Sequence, residues 1–336
     1  MTDNHNWGPK PFKLNNEWFS NASFVPFVER EWKNLVVHGR GDFILKEKLR
    51  LIKDKIKMWN KDVFGKIDLE IDEGVHDINT VDERLDFDLL SSSTFDDDIV
   101  LRKEATGRFW RNLRIKENML LQRSKLLLLK EADSNSAFFH KVMKQRRRQN
   151  HLGPINSPRG LVESVEEIRE EVFSHFEKKF AESEPFRPTL DGIHFKSISR
   201  EEAEGLEKPF LEFEIKKAVW ECGGSKSPGP DGFSFLFLKK CWHFIKEDFI
   251  NFFNCFFQGG PIARGITSSF LTLIPKVNNS VGLNDYRSIC LVGCLYKAVS
   301  KLLTGRLKVV LNSIISPSQN AFVPGRQLLD GVIVAN

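Results

Sequence analysis

Leu45, Leu49, Ile52, Ile56, Trp59 and Val63 recur at alternating spacings of four and three, and this stripe constrains the fold more than any other feature of the sequence. With 3.6 residues per turn, that spacing brings all six side chains to one helical face, so a long amphipathic helix from about residue 42 is expected. A second stripe, Phe109, Leu113, Leu120 and Leu127, follows an acidic, Ser-rich interval from Ser91 to Asp98. Two or three helices carrying such stripes bury their apolar faces most simply by packing as an antiparallel helical hairpin. The Asp96-Asp97-Asp98 run reads as a solvated polar stretch between the helices.

The rest of the chain divides around that hairpin. Residues 1–30 are rich in Asn, Pro and aromatics, with Trp7 to Phe12 reading as an edge strand, where Pro is tolerated. Residues 31–150 form the helical part, ending in the basic run Lys141 to Arg148. Residues 151–208 hold turn-prone Gly153-Pro154 and Ser157-Pro158-Arg159-Gly160, consistent with a loop or short hairpin. They continue into a helix carrying Val165, Ile168, Val172, Phe173 and Phe176, then an extended linker after Pro185 and Pro188. Residues 209–336 form the last part. At 336 residues, two domains of roughly 150 residues are the expectation.

Charge and cysteine usage narrow the function classes. Fifty Lys and Arg against 45 Asp and Glu leave +5, with acids crowding 68–98 and bases crowding 141–148 and 297–308, so a nucleic-acid face would lie in the second half. Five Cys, none in a Cys-x-x-Cys pair, lack zinc spacing and read as reduced thiols. No secretory leader is recognisable, and the longest aliphatic run, Leu126 to Leu129, is far short of the about 20 residues that span a bilayer. A soluble intracellular protein without membrane contact, nuclear or cytoplasmic, is expected.

Local chemistry concentrates in the last part. Ser227-Pro228-Gly229-Pro230-Asp231-Gly232 fixes two φ angles with Pro and frees two with Gly, and Asp231 is placed to cap a helix starting at Phe233. Leu271 to Lys276 and Asp285 to Leu291 read as two strands of a hairpin. Lys276 and Arg287 then stand near its tip, a compact charge and a bidentate fork suited to phosphate. Val299, Leu303, Leu307, Val310 and Ile314 form the stripe of a further helix with Lys297, Lys301 and Lys308 on its outer side. Ala321 to Gln327 reads as a strand, a Gly turn and a helix start, with Arg326 either neutralising a backbone phosphate or simply solvated. Gly224-Ser225-Lys226-Ser227 lacks the glycine spacing of a P-loop, and no nucleophile elbow is present. The fold class is mainly α with a small β component (α+β).

SPGPDG, LIPK, DYRSICL, YKAVSKLLTGRL and ISPSQNAFVPGRQLLD occur in the order typical of non-LTR (LINE-type) retrotransposon reverse transcriptases, and the chain resembles a plant member of that family. Upstream, WGPKPFKLNNEWF resembles the tail of the element's endonuclease, and WNKDVFGKI and SNSAFFHKVMKQRRRQNHL resemble the helical connector that follows it. The resemblance implies that 209–336 is the fingers part of an RNA-directed DNA polymerase, incomplete before the palm. It also implies that Lys276 and Arg287 grip the triphosphate of a nucleotide, that RNA or single-stranded DNA is the template or primer, and that Mg²⁺ serves the complete enzyme. Its metal-binding aspartates lie beyond the region of resemblance, so no catalytic residue, metal site or cofactor is expected within this chain, and the fragment alone is expected to be inactive. Ser288 stands where the family has Pro, Cys290 where it has Ser, and Ala132 where it has Gly. Two other readings compete. One is a non-catalytic nucleic-acid-binding module using Lys144, Arg146, Arg147 and Arg148 beside Phe138 and Phe139, since cations interleaved with aromatics suit single strands. The other is a helical interaction scaffold over 42–180.

Overall fold

A computed structural model describes residues 8–87, 95–124, 141, 144–145, 152–158, 160–182, 186–187, 189, 191–277, 280–316, 319, 323 and 325–327. The chain divides into two compact units: Asn15–Val36 with Lys48–His151, and Met1–Leu14 with Val37–Glu47 and Leu152–Asn336.

The first of these units is helical. After a 3-10 turn, Asn16–Ser20, come α1 (Phe24–Asn34), α2 (Gly41–Val63, which begins in the other unit), α3 (Ile67–Phe87) and α4 (Phe95–Ser124). The stripe expected for α2 is present, with Leu45, Leu49, Ile52, Ile56 and Trp59 all buried. Trp59 lies at the centre of an aromatic cluster, with ring centroids 4.7 Å from Phe24, 5.4 Å from Phe64 and 6.3 Å from Trp18. Aromatic pairs at such distances add about 0.5–1.5 kcal/mol each beyond their burial, which fixes α2 against α1 and the 3-10 turn.

Helices α3 and α4 pack as an antiparallel hairpin, so the partner of the α4 stripe is α3, a helix that neither sequence stripe marked. The helices lie close at Gly74, where a Cβ would meet Phe109 Cβ at 3.4 Å, about van der Waals contact. Polar pairs follow the same antiparallel order: Arg84 with Asp98, Asp82 with Arg102, Asp77 with Arg108, Glu70 with Asn112 and Asp68 with Lys116. Three acids of α3, Asp68, Asp77 and Asp82, are thereby paired with cations of α4 while remaining exposed to solvent. One expectation is corrected here. Asp96, Asp97 and Asp98 form the first turn of α4, where the exposed N–H groups and helix dipole favour negative charge, and Asp98 is buried beside Arg84. Leu127 and residues 88–94 lie outside the described residues.

The second unit is mixed. A small hairpin, β1 (Ile155–Ser157) and β2 (Gly160–Val162), precedes α5 (Val165–Phe180), which starts at a capping box between Ser164 and Glu167. Then follow α6 (Arg200–Glu207), α7 (Glu212–Trp220) and α8 (Phe235–Phe257). β3 (Ser269–Pro275) pairs antiparallel with β4 (Tyr286–Val292), and α9 (Cys294–Ile314) follows. Helix α7 packs on both α8 and α9, and α8 buries Phe235, Phe237, Leu238, Cys241, Trp242, Ile245, Phe249, Phe252 and Phe253. Burial of so much aromatic surface, roughly 1.5–3 kcal/mol per side chain, makes α8 the core of this unit.

Three local expectations change in this unit. Residues 8–12 form no strand; Leu14 N–H donates to Gly232 O at 2.9 Å and Phe12 packs edge-on against Phe233. The buried face of α9 is Leu295, Ala298, Val299, Leu302 and Val310, while Leu303 and Leu307 are 38% and 51% exposed. Both stripes have helical periodicity, and contact with α7 selects the one that also includes Arg306. On α5, Phe173 is exposed although Val165, Ile168 and Phe176 are buried. The fold class stands: among the described residues the protein is mainly α with two small two-stranded sheets. No helix among them is long and apolar enough to cross a membrane.

Candidate functional site

The two strands predicted around Lys276 and Arg287 form, and their register fixes where the two cations lie. Ile274 faces Arg287 and Pro275 faces Tyr286; Lys276 N–H continues the ladder by donating to Asp285 O at 2.7 Å. Alternation along each strand puts Ile274, Lys276 and Arg287 on one face and Leu273 on the other. The Leu273 face packs on a small core of Ile155, Ile168 and Leu283, so the face carrying Lys276 and Arg287 is turned away from it. Both cations are exposed.

The hairpin tip is held by its own hydrogen bonds. Lys276 Nζ donates to Asn284 O at 2.7 Å, Asp285 Oδ2 accepts from Gly282 N–H at 3.0 Å and Val281 N–H at 3.3 Å, and Tyr286 O–H donates to Ser280 O at 3.3 Å. Burial, helped by Asp285, raises the Tyr286 phenol above its ordinary value, so it stays a neutral donor. Because its carboxylate serves main-chain amides, Asp285 does not neutralise Lys276. The Arg287 guanidinium has no hydrogen-bond or ion-pair partner among the described residues.

The loop from Ser227 to Gly232 acts at the far end of β4. A Cβ on Gly229 would lie 2.4 Å from Val292 C and 2.5 Å from Gly293 N, so only glycine allows the loop to lie against that turn. Gly232, at φ +78°, adopts a conformation that other residues rarely take. Asp231 accepts from Phe233 N–H at 3.3 Å, as a local turn would have it, but its other oxygen accepts from Cys294 N–H, at the start of α9. Its long-range role is therefore to cap α9, since α8 starts only at Phe235. The buried Cys294 thiol is pushed well up by desolvation, with Asp231 adding to the effect. The loop thus anchors the base of the hairpin.

The remaining candidate residues are placed differently. Arg326 Nη1 donates to Ser316 O and Gln319 O, at 2.5 and 2.7 Å, and Nη2 to Ile315 O at 3.3 Å, so its guanidinium gathers carbonyls just past the end of α9. Lys144 is helical and exposed; Arg146, Arg147 and Arg148 lie outside the described residues. Of the five cysteines, Cys222, Cys241 and Cys294 are buried, Cys255 is half-buried and Cys290 exposed. No group of three or more His, Cys, Asp or Glu among the described residues could hold a metal ion.

Sequence reading missed two features. Arg306 lies among the predicted basic residues of α9, yet its fork pairs with both Glu214 oxygens at 3.1 and 2.9 Å, and its other donors reach the carbonyls of Leu206, Lys208 and Pro209. The other is a cleft beside the hairpin tip, lined by Lys178 and Lys179 of α5 together with Asn284. The Lys178-Lys179 pair was visible, but in the last turn of a helix with an acidic start it reads as a complement to the helix dipole.

One curated relative shares much of this sequence. The transposon TX1 uncharacterized 149 kDa protein of Xenopus laevis is 29% identical over 218 residues, which cover 63% of this chain and 16% of that protein. The chain is therefore related to a transposon protein, and the match spans about a sixth of that relative's length. No protein-family model matches the chain.

Proposed function

We propose that residues 209–336 serve as the nucleotide-gripping fingers of a non-LTR retrotransposon reverse transcriptase, in which Lys276 and Arg287 bind the polyphosphate of an incoming nucleotide beside an RNA template. The carrying observation is the shared exposed face of Lys276 and Arg287, two register steps apart on a hairpin whose opposite face is packed. Arg supplies a planar two-point donor and Lys a compact charge, the combination that suits adjacent phosphates. The motif order and the transposon relative support the same reading.

On this reading the helical unit is the connector between an endonuclease and the polymerase, and the described residues bind rather than catalyse. Their acidic groups do not fit the metal-ion pair that nucleotidyl transfer needs, so no chemical step is assigned to them. The test is equilibrium binding of a fluorescent deoxynucleoside triphosphate to the full chain. Arg287→Ala and Lys276→Ala should each weaken it about tenfold, in line with the roughly 1.5–3 kcal/mol of a charge-assisted contact discounted for exposure. Unchanged binding in both variants would refute the assignment.

A further inference from the structure

We propose that the cleft between α5, the β1–β2 turn and the hairpin tip binds the sugar-phosphate backbone of single-stranded RNA, extending the Lys276–Arg287 site by a second set of phosphate contacts. The inference rests on the nucleic-acid reading above. It adds a surface on the far side of Asn284.

The cleft has a volume of about 570 Å³ and is open to solvent. Its polar lining includes Lys178, Lys179, His175, Glu171, Asn156 and Asn284, with Ser174 beside them. These come from three separate elements that the core of Ile155, Ile168 and Leu283 holds together, so their convergence is a product of the fold. Lys178 and Lys179 are exposed and form no ion pair among the described residues. Arg102, Arg108 and Arg306, by contrast, each pair with a carboxylate. Dipole complementation accounts for two lysines at the end of α5. It does not account for an imidazole and two carboxamides meeting them around one open cavity.

Continuity with the hairpin identifies the occupant. Lys276 Nζ donates to Asn284 O, so Asn284 lies between the Lys276 ammonium and the cleft that it helps to line. With the nucleotide held at Lys276, a strand passing Asn284 would carry its own phosphates to Lys178 and Lys179. Carboxamides suit ribose hydroxyls and base edges, and the half-buried Glu171 carboxylate can accept from a 2′-hydroxyl, a donor that DNA lacks. An acidic peptide would use the lysines and meet the same repulsion from Glu171, but would offer it no ribose hydroxyl from which to accept.

The test measures binding of a fluorescein-labelled oligouridylate to the full chain across a salt series. Two phosphate contacts correspond to a fall of about 1.4 in the log–log salt slope and to roughly 20-fold weaker binding at 0.1 M salt, which is the result expected for Lys178→Gln/Lys179→Gln. Glu171→Gln should tighten RNA binding a few-fold, a gain that misfolding cannot imitate, and should narrow the preference for oligouridylate over oligothymidylate. An unchanged affinity and slope in the double variant would overturn the proposal. So would labelled polyglutamate binding as tightly as RNA with the same loss, or tripolyphosphate displacing RNA at equal phosphate concentration from a Lys276→Ala/Arg287→Ala variant, which would mark a peptide or a free-phosphate site. If the wild-type chain binds triphosphate but the double variant binds RNA normally, only this inference fails. If the wild-type chain binds neither ligand, the functional reading fails with it.

Discussion

Replacing Arg306 should loosen α6, α7 and α9 together, and the structure sets the size of the effect. All five guanidinium N–H groups are engaged: two on the carboxylate of Glu214 and three on the carbonyls of Leu206, Lys208 and Pro209. The guanidinium also lies 4.4 Å from the centroid of the Phe210 ring. The Arg306 side chain is 10% exposed and that of Glu214 is 22% exposed, so Arg306→Ala strands a largely buried carboxylate. Breaking a fully buried pair costs about 3–5 kcal/mol, and the partial exposure of Glu214 places this one near 3 kcal/mol. Arg306→Lys keeps the charge but loses the planar two-point match, and should cost about 1–2 kcal/mol. Native-state hydrogen exchange reads this directly: about 3 kcal/mol raises the opening equilibrium of the α7 and α9 amides by roughly two orders of magnitude.

The pH dependence has a definite sign. The hydrogen bond with Arg306 is the largest effect on Glu214 and holds its carboxyl below the usual range, although desolvation opposes it. A lowered folded-state value adds stability above the unfolded glutamate value of about 4.3, and that stability is lost as pH falls through the folded value. The gap between wild type and Arg306→Ala should therefore be constant from neutral pH to about 5.5 and shrink below about 4. A gap under about 1 kcal/mol at neutral pH, or Arg306→Lys matching wild type, would refute the tether.

Two more perturbations test the other long-range contacts. Asp231→Ala removes the cap of α9 and should cost about 2 kcal/mol, while Asp231→Asn, which keeps an acceptor, should cost about half that; mass-spectrometric labelling of the Cys294 thiol should be fastest in the Ala variant. Asp98→Ala should destabilise the α3–α4 hairpin by about 1–2 kcal/mol, seen as a lower melting transition, because Asp98 serves both the start of α4 and Arg84. Arg84→Ala should cost less than Asp98→Ala, since the Arg84 side chain is half exposed.

Periodicity and turn chemistry are local properties, and they determined much of this protein in advance. The stripe from Leu45 to Trp59 settled α2, β-branched and aliphatic runs ending at Pro275 settled the β3–β4 hairpin, and its pairing placed Lys276 and Arg287 on one exposed face. Periodicity does not choose between neighbouring stripes on one helix, however, and only packing against α7 decided that Leu302 and Val310 of α9 are buried while Leu303 and Leu307 face out. A cap is likewise ambiguous in sequence: Asp231 sits beside one helix start and bonds to another 63 residues away, because a carboxylate answers whichever amide the fold brings near. The same holds for charge. Arg306 and Lys178 look alike in a basic stretch, yet one has every donor taken by a carboxylate and carbonyls while the other lines an open cleft, a difference set by which partners the tertiary structure delivers.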